Sequence, residues 1–304
     1  MSRARLIIVC GPTASGKTAL AVRIAKAVHG EVVNCDSQQV YRHFEIGTAR
    51  PTDREQDGVP HHLFGVVDPD THFNAAQYVS MADSVIKEIA DRKAIPVLAG
   101  GTGLYVRALT KGLCEVPEIP DEVVQTVKRW ISAEGPEIGY ARLAEVDPVA
   151  AKKITPADGQ RIERALSVFE ATGIRISELQ KAHAFSEKRY EALKIGIRIP
   201  RDVLVARIAK RTKELFNSGF VDEVRRLTQM GYGPMMQSFL AHGYRYCAAV
   251  VDGTMSVESA IELTDRDTRR YAKRQMTWLR ADPEIRWFDG PECPGAVEAA
   301  VEYV

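Results

Sequence analysis

Residues 6–18 read LIIVCGPTASGKT. Leu6, Ile7, Ile8, Val9 and Cys10 form an unbroken apolar run closed by Gly11, the pattern of a short buried strand. Residues 19–28, ALAVRIAKAV, have the apolar spacing and alanine content of a helix. Between them Gly11, Pro12, Thr13, Ala14, Ser15, Gly16, Lys17 and Thr18 have the spacing of a phosphate loop, in the strand–loop–helix setting that pattern requires. The two glycines let backbone N–H groups turn inward. The helix start adds a partial positive charge, Lys17 a full one, and Thr18 a hydroxyl suited to Mg²⁺. These eight residues predict a bound di- or triphosphate, the chemistry shared by nucleotide- and ATP-binding loops. An ordinary glycine turn before a helix is the plain alternative, and four fixed positions with both flanks in place argue against it.

The rest of the chain bounds that reading. Its 304 residues suffice for a full core and one large or two modest domains. No apolar run is long enough to cross a bilayer, and no signal-peptide layout precedes the first strand, so no membrane partner is expected. Cys10, Cys35, Cys114, Cys247 and Cys293 are scattered and odd in number, which suits thiols in a reducing cytoplasm better than disulfides or a zinc site. The net charge of +1 hides an asymmetry: residues 201–280 carry 14 Lys+Arg against 9 Asp+Glu, while residues 281–304 carry one Arg against six acids. The penultimate segment could meet a polyanion, or could be an ordinary solvated face.

Outward from the loop, residues 31–35 predict a second strand, ending at Asp36. Ligands of open α/β sheets sit at the carboxyl ends of strands, so this carboxylate is placed either to face the phosphate loop or to cap the next turn. Ser37, Gln38 and Gln39 follow on the same rim. Residues 47–51 and 60–63 read as loops, and His61 and His62 as structural, with no third metal ligand at a suitable spacing. A helix over 75–92 leads to a strand over 94–99 and then to Gly100-Gly101-Thr102-Gly103, where glycines permit close approach of a ligand or simply a tight turn. From Pro117 to about Tyr190 prolines punctuate helical patterns without strand signals. The chain therefore divides into an α/β core, 1–116 and 191–304, and a helical insertion domain, 117–190. Within the insertion a helix over 159–171 has an apolar stripe at Ile162, Ala165, Leu166 and Phe169. A strand is expected over 194–199, helices over 206–216, 221–230 (which holds Arg225) and 257–263, and a glycine turn around Gly243. On a helix Arg266, Arg269, Arg270, Lys273 and Arg274 share one face, to be compensated by a polyanion or by acidic neighbours. Residues 285–288 predict a last strand.

Taken in order, GPTASGKT at 11–18, DSQQVYRHFEIGTARP at 36–51, PHHL at 60–63, GGTGLYVRAL at 100–109, QRIERAL at 160–166 and RDTRRYAKRQMTWLR at 266–280 make the chain resemble the tRNA dimethylallyltransferases, or tRNA isopentenyltransferases. The resemblance spans residues 7 to 288. It implies a P-loop NTPase-like parallel sheet flanked by helices. It implies transfer of a dimethylallyl group from dimethylallyl diphosphate to N6 of the adenosine 3′-adjacent to the anticodon, with the tRNA anticodon stem-loop as partner; a cytoplasmic monomer is expected, since the cysteines suit a reducing compartment, tRNA is large and no self-association signal appears. On this reading Asp36 takes the proton of the amine, and Lys17, Thr18 with Mg²⁺, and Arg225 (by its place in GFVDEVRRL) hold the departing diphosphate. Asp36, Ser37, Gln38, Gln39, Thr102, Gln160, Arg161, Ile162, Glu163, Arg164, Gly243, Tyr244 and Arg245 then lie near tRNA. His242 stands where the family usually carries an apolar residue, and no added zinc-finger module is expected. A prenyltransferase of free adenine nucleotides, a P-loop kinase of a small substrate and a nucleotide-dependent switch remain as alternatives.

Overall fold

The computed structural model describes residues 5–114, 116–183 and 187–304. Six parallel strands form one sheet: β1 (Arg5–Cys10), β2 (Gly30–Asn34), β3 (His61–His62), β4 (Ile95–Gly100), β5 (Glu191–Arg198) and β6 (Ile285–Asp289), in the order β3-β2-β4-β1-β5-β6. The register pairs Ile7 with Val97 on one side and with Leu193 on the other. Alternate residues of β1 serve different cores. Leu6 and Ile8 pack with Val33, Leu98, Tyr78 and Ile86, while Ile7 and Val9 pack with Leu20, Ile24, Val97 and Ile195. A strand covered on both faces has no polar side, which is why its sequence is continuously apolar. Each such buried aliphatic side chain is worth about 1.5–3 kcal/mol.

The order puts β1 in the middle. From β1 the chain runs outward to β2 and β3, returns to β4, then crosses to β5. The carboxyl ends of β1 and β4 thus flank a topological switch point, where open α/β sheets bind ligands.

The chain divides into two compact units, Met1–Thr110 with Lys188–Val304, and Lys111–Glu187; the division falls at 111 and 187 rather than at 117 and 190. Ala184, Phe185 and Ser186, assigned to the end of the insertion, lie outside the described residues, as do residues 1–4 and Glu115 of the expected core. The second unit holds helices Asp121–Glu134, Pro136–Val146, Pro148–Ala151, Gly159–Thr172 and Ile176–His183 around Val127, Leu143, Ile162 and Leu166. Pro136 and Pro148 open their helices, where a missing N–H costs nothing.

Three local expectations are corrected. His61–His62 is an edge strand paired with Val32 and Val33 rather than loop. Gly243 is less a turn than the left-handed N-cap (φ 93°) of the helix Tyr244–Val251. The segments 257–263 and 266–280 belong to one 24-residue helix, Val257–Arg280, capped by Ser256. No glycine or proline interrupts it, and Asp265 pairs with Arg269 one turn on, at 2.5 Å.

Candidate active site

The phosphate loop leaves β1 at Gly11 and enters helix Lys17–Ala27 at Gly16, which has φ 90°. A Cβ at Gly16 would also fall 2.7 Å from Pro291, so both conformation and space demand glycine. No side chain caps this helix, and its first N–H groups remain available to an anion. Ser15 is buried, and its Oγ has no hydrogen-bond partner among the described residues. Lys17 Nζ donates to Pro12 O at 2.9 Å. Burial pushes the Lys17 ammonium down from 10.5 to about 8; Asp36 pulls the other way and Arg211 adds to the lowering.

Asp36 lies two residues beyond β2. Its Oδ1 accepts the Gln38 N–H at 2.9 Å, while Asn34 holds its backbone from below, accepting the Asp36 N–H at 3.0 Å. The two expected roles therefore coexist: one carboxylate oxygen caps the turn, and the side chain still lines the cavity. Thr102, beyond β4, accepts the Ser37 N–H at 3.0 Å. Gly100 allows that closeness, since a Cβ there would sit 2.0 Å from Cys35 O. Gln39 donates to the carbonyls of Thr48 and Ala49 and so staples the loop 45–49.

Two cavities meet here. One, of about 740 Å³, is lined by Gly16, Lys17, Thr18, Gln39, His61, Arg50, Arg207, Lys210 and Arg211. The other, of about 230 Å³, is lined by Ser37, Gln38, His242, Thr264, Thr268, Tyr271 and Arg274. Thr13, Ala14, Asp36, Thr48, Ala49, Arg211 and Leu215 line both, so Asp36 and Thr13 stand at the junction. One side gathers five cations, Lys17, Arg50, Arg207, Lys210 and Arg211, against four carboxylates, Asp36, Glu45, Glu55 and Glu214. The other is walled by an aromatic pair, His242 and Tyr271, with ring centroids 4.8 Å apart. Burial first, then Arg274, lowers the His242 pKa.

Arg225 is not among the residues lining either cavity; half exposed, it pairs with Asp222 on its own helix. The arginines brought to the phosphate side are Arg50 and, on helix Arg201–Asn217, Arg207 and Arg211. On that helix Arg207, Lys210 and Arg211 fall at i, i+3 and i+4, a spacing the sequence carries plainly. Burial lowers the Arg211 pKa, with Asp36 opposing.

Glu223 was not legible. It is 3 % exposed, and its carboxylate accepts the N–H groups of Glu45 (3.0 Å), Ile46 (2.6 Å) and Gly47 (3.1 Å) and the Tyr244 hydroxyl (2.7 Å). It thereby fixes the loop that lines both cavities at Thr48 and Ala49.

The residues expected near tRNA divide by burial. Ser37, Gln38, Gln39 and Thr102 are half-buried at the site, Arg245 is exposed, and Gly243 and Tyr244 are buried. Tyr244 stacks on Phe44 (4.4 Å between centroids) and cannot offer its ring to RNA. In the second unit Gln160, Arg161 and Arg164 are exposed and Glu163 is half-buried. Ile162 is fully buried in that unit's core, where the apolar stripe puts it, so its side chain is no ligand contact. On helix Val257–Arg280 acidic neighbours answer part of the cationic face: Asp267 lies 3.0 Å from Arg266 and 3.7 Å from Arg270, and Asp265 takes Arg269. Arg274 instead lies over the Tyr271 ring at 5.8 Å, on the cavity wall.

His62 bonds Glu31 at 2.6 Å and Arg92 bonds the same carboxylate, so that histidine is structural. No group of three or more His, Cys, Asp or Glu side chains close enough to hold a metal occurs among the described residues.

The sequence profile of the IPP transferase family matches residues 39–282. A tRNA dimethylallyltransferase of Geobacter sulfurreducens is 47 % identical over 290 residues, covering 95 % of this chain and 93 % of that protein. Among solved structures, a tRNA Δ(2)-isopentenylpyrophosphate transferase of Staphylococcus epidermidis is 33 % identical, with a TM-score of 0.70 over 99 % of this chain and 97 % of that one. A eukaryotic dimethylallyltransferase acting on tRNA superposes with a TM-score of 0.80 at 25 % identity, over 94 % of this chain and 74 % of that one.

Proposed function

The chain belongs to the IPP transferase family, and we propose that it transfers the dimethylallyl group of dimethylallyl diphosphate to N6 of the adenosine 3′-adjacent to the anticodon of tRNA, releasing diphosphate. The observation that carries this reading is the junction of two cavities at Asp36, one lined by cations and amides, the other by an aromatic pair and an arginine.

An allylic carbon becomes electrophilic as its diphosphate takes up the bonding electrons, so stabilising the leaving group lowers the barrier. Loop amides, Lys17 and Arg211 are the groups for that work, acting where charge develops. The Thr18 hydroxyl lines the same cavity. A hydroxyl beside a carboxylate and substrate phosphates suits Mg²⁺, which keeps several waters and needs no all-protein cage. When bound, Mg²⁺ would neutralise diphosphate charge.

The acceptor amine is a weak nucleophile because its lone pair is delocalised into adenine. Asp36 would orient it and accept its proton as the C–N bond forms, work typically worth about 10²–10⁴-fold. An adenine inside an anticodon stack cannot reach such a junction, so the base would be flipped out, at a few kcal/mol. His242, Tyr271 and Arg274 offer the ring faces and guanidinium against which a flipped base can stack. Gln160, Arg161, Arg164 and Arg245, all exposed, are candidates for further tRNA contact.

The reading carries with it a cytoplasmic location, where tRNA resides, and a monomer. No helix among the described residues is long and apolar enough to cross a membrane, and no disulfide occurs among them. The test mixes protein, Mg²⁺, dimethylallyl diphosphate and unmodified tRNA, then weighs the nucleosides after digestion. An adenosine heavier by one dimethylallyl unit, formed with tRNA and not with AMP, is expected. Prenylated AMP would move the substrate to free nucleotides. ATP consumption without prenylation would mean that the phosphate loop serves ATP chemistry and not prenyl transfer.

A further inference from the structure

Gln275 lies in the C-terminal third of helix Val257–Arg280 and is 4 % exposed. Its carboxamide joins two loops of the site. Oε1 accepts the Thr13 N–H at 2.8 Å, in the phosphate loop, and Nε2 donates to Gly101 O at 3.0 Å, in the turn after β4. The next residue, Thr102, holds Ser37 beside Asp36. A Cβ at Gly101 would fall 2.0 Å from Gln275 Nε2, so the glycine keeps room for the amide. Tyr271, one turn earlier on the same helix, sets its hydroxyl beside Thr102 and Gln275. Accepting at one end and donating at the other is a carboxamide's property; a carboxylate of the same length offers only acceptors, and a thioether no donor and only a weak acceptor.

We propose that Gln275 is a positioning residue for prenyl transfer. Its carboxamide sets the separation of Thr13 from the Gly101–Thr102 turn, and so of the seat of the allylic carbon from the seat of the acceptor amine around Asp36. In the step it serves, the C–O bond to diphosphate breaks, the C–N bond at N6 forms, and the N6 proton passes to Asp36. This rests on the function proposed above. A misplacement of about 1 Å in such a geometry can cost on the order of 100-fold in rate while binding is nearly unchanged.

The test uses Gln275→Glu, which sets an acceptor against Gly101 O, and Gln275→Met, which removes both bonds at nearly constant volume. For both we expect kcat with tRNA to fall about 10- to 100-fold. The KM for tRNA and the calorimetric Kd for dimethylallyl diphosphate should stay within about threefold, and the Thr13 amide should exchange its hydrogen faster. An unchanged kcat in both variants would overturn the proposal. So would a loss of diphosphate affinity equal to the loss of rate, which assigns Gln275 to binding. If the wild-type protein prenylates nothing, the functional reading fails instead. The brace itself is then judged by Thr13 exchange, and unchanged exchange in both variants removes it.

Discussion

The two sides of the junction are built differently. The phosphate side is centred on one unbroken stretch, residues 11–18, to which a single helix adds Arg207, Lys210 and Arg211 and the segments 45–55 and 61–64 add a further wall. The acceptor side collects Asp36, Ser37, Thr102, His242, Tyr271 and Arg274 from four separate parts of the chain and holds them by bonds between distant residues. A loop that folds on itself can bind a phosphate in many proteins. What such a loop accomplishes depends on the assembled side, and substitutions on the two sides should separate affinity from rate.

The sharpest break in that comparison is Asp36→Asn. Transfer to tRNA should fall about 10²–10⁴-fold, while the calorimetric affinity for dimethylallyl diphosphate stays within about threefold. Equal rates would remove Asp36 from the role of base. On the phosphate side, Lys17→Ala and Arg211→Ala should each weaken diphosphate binding about 10- to 100-fold, the scale of one lost charge-assisted bond; unchanged binding would mean that the loop holds something else.

A pH titration sharpens the same point. Burial pushes the Lys17 ammonium down to about 8. Below that pH the ammonium is already charged. Above it the diphosphate must bring a proton to a neutral amine, so affinity should decline as pH rises through 8, by at most about tenfold per unit. Calorimetry at pH 9 in two buffers of different ionisation enthalpy should register proton uptake, which vanishes in Lys17→Ala.

Glu223→Gln tests the wall common to both sides. It puts an N–H₂ group either against the amides of Glu45 and Ile46 or against the Gly47 amide and the Tyr244 hydroxyl, and should cost roughly 1–3 kcal/mol, read as a lower melting temperature, with added hydrogen exchange at residues 45–47. The smallest effect is expected at Arg225→Ala. Its partner is Asp222, and neither transfer rate nor diphosphate affinity should move by more than about twofold.

Legibility follows the same division. The strands over 6–10, 31–35, 94–99 and 194–199 could be read because parallel strands covered on both faces leave a largely apolar stretch in the sequence, and the edge strand over 285–288 by Ile285, Trp287 and Phe288. The phosphate loop could be read because its parts are neighbours. β3, with two residues, is too short to carry a period, and its pairing to Val32 and Val33 comes from the adjacent strand. Glu223 could not be read, because its partners are backbone amides, the farthest bonded one lying 178 residues away, and any sequence supplies those. Gln275 sits inside a quoted motif that points to charge, yet its bonds go to residues 262 and 174 positions away. The resemblance put an arginine of GFVDEVRRL at the diphosphate, whereas geometry favours the face of the preceding helix. For Ile162 and Tyr244, the apolar stripe and the aromatic cluster outweigh the motif that surrounds them.

Helix Val257–Arg280 carries Thr264, Thr268, Tyr271 and Gln275 on one stripe at steps of four, three and four residues. Such a stripe has no slack. Removing or adding one residue between 264 and 275 would rotate everything beyond it by about 100°, taking the amide brace away from both loops at once while the helix itself stayed intact. This segment should therefore accept exchanges of its outward residues freely and accept no change of length, so that its spacing is inherited as a unit.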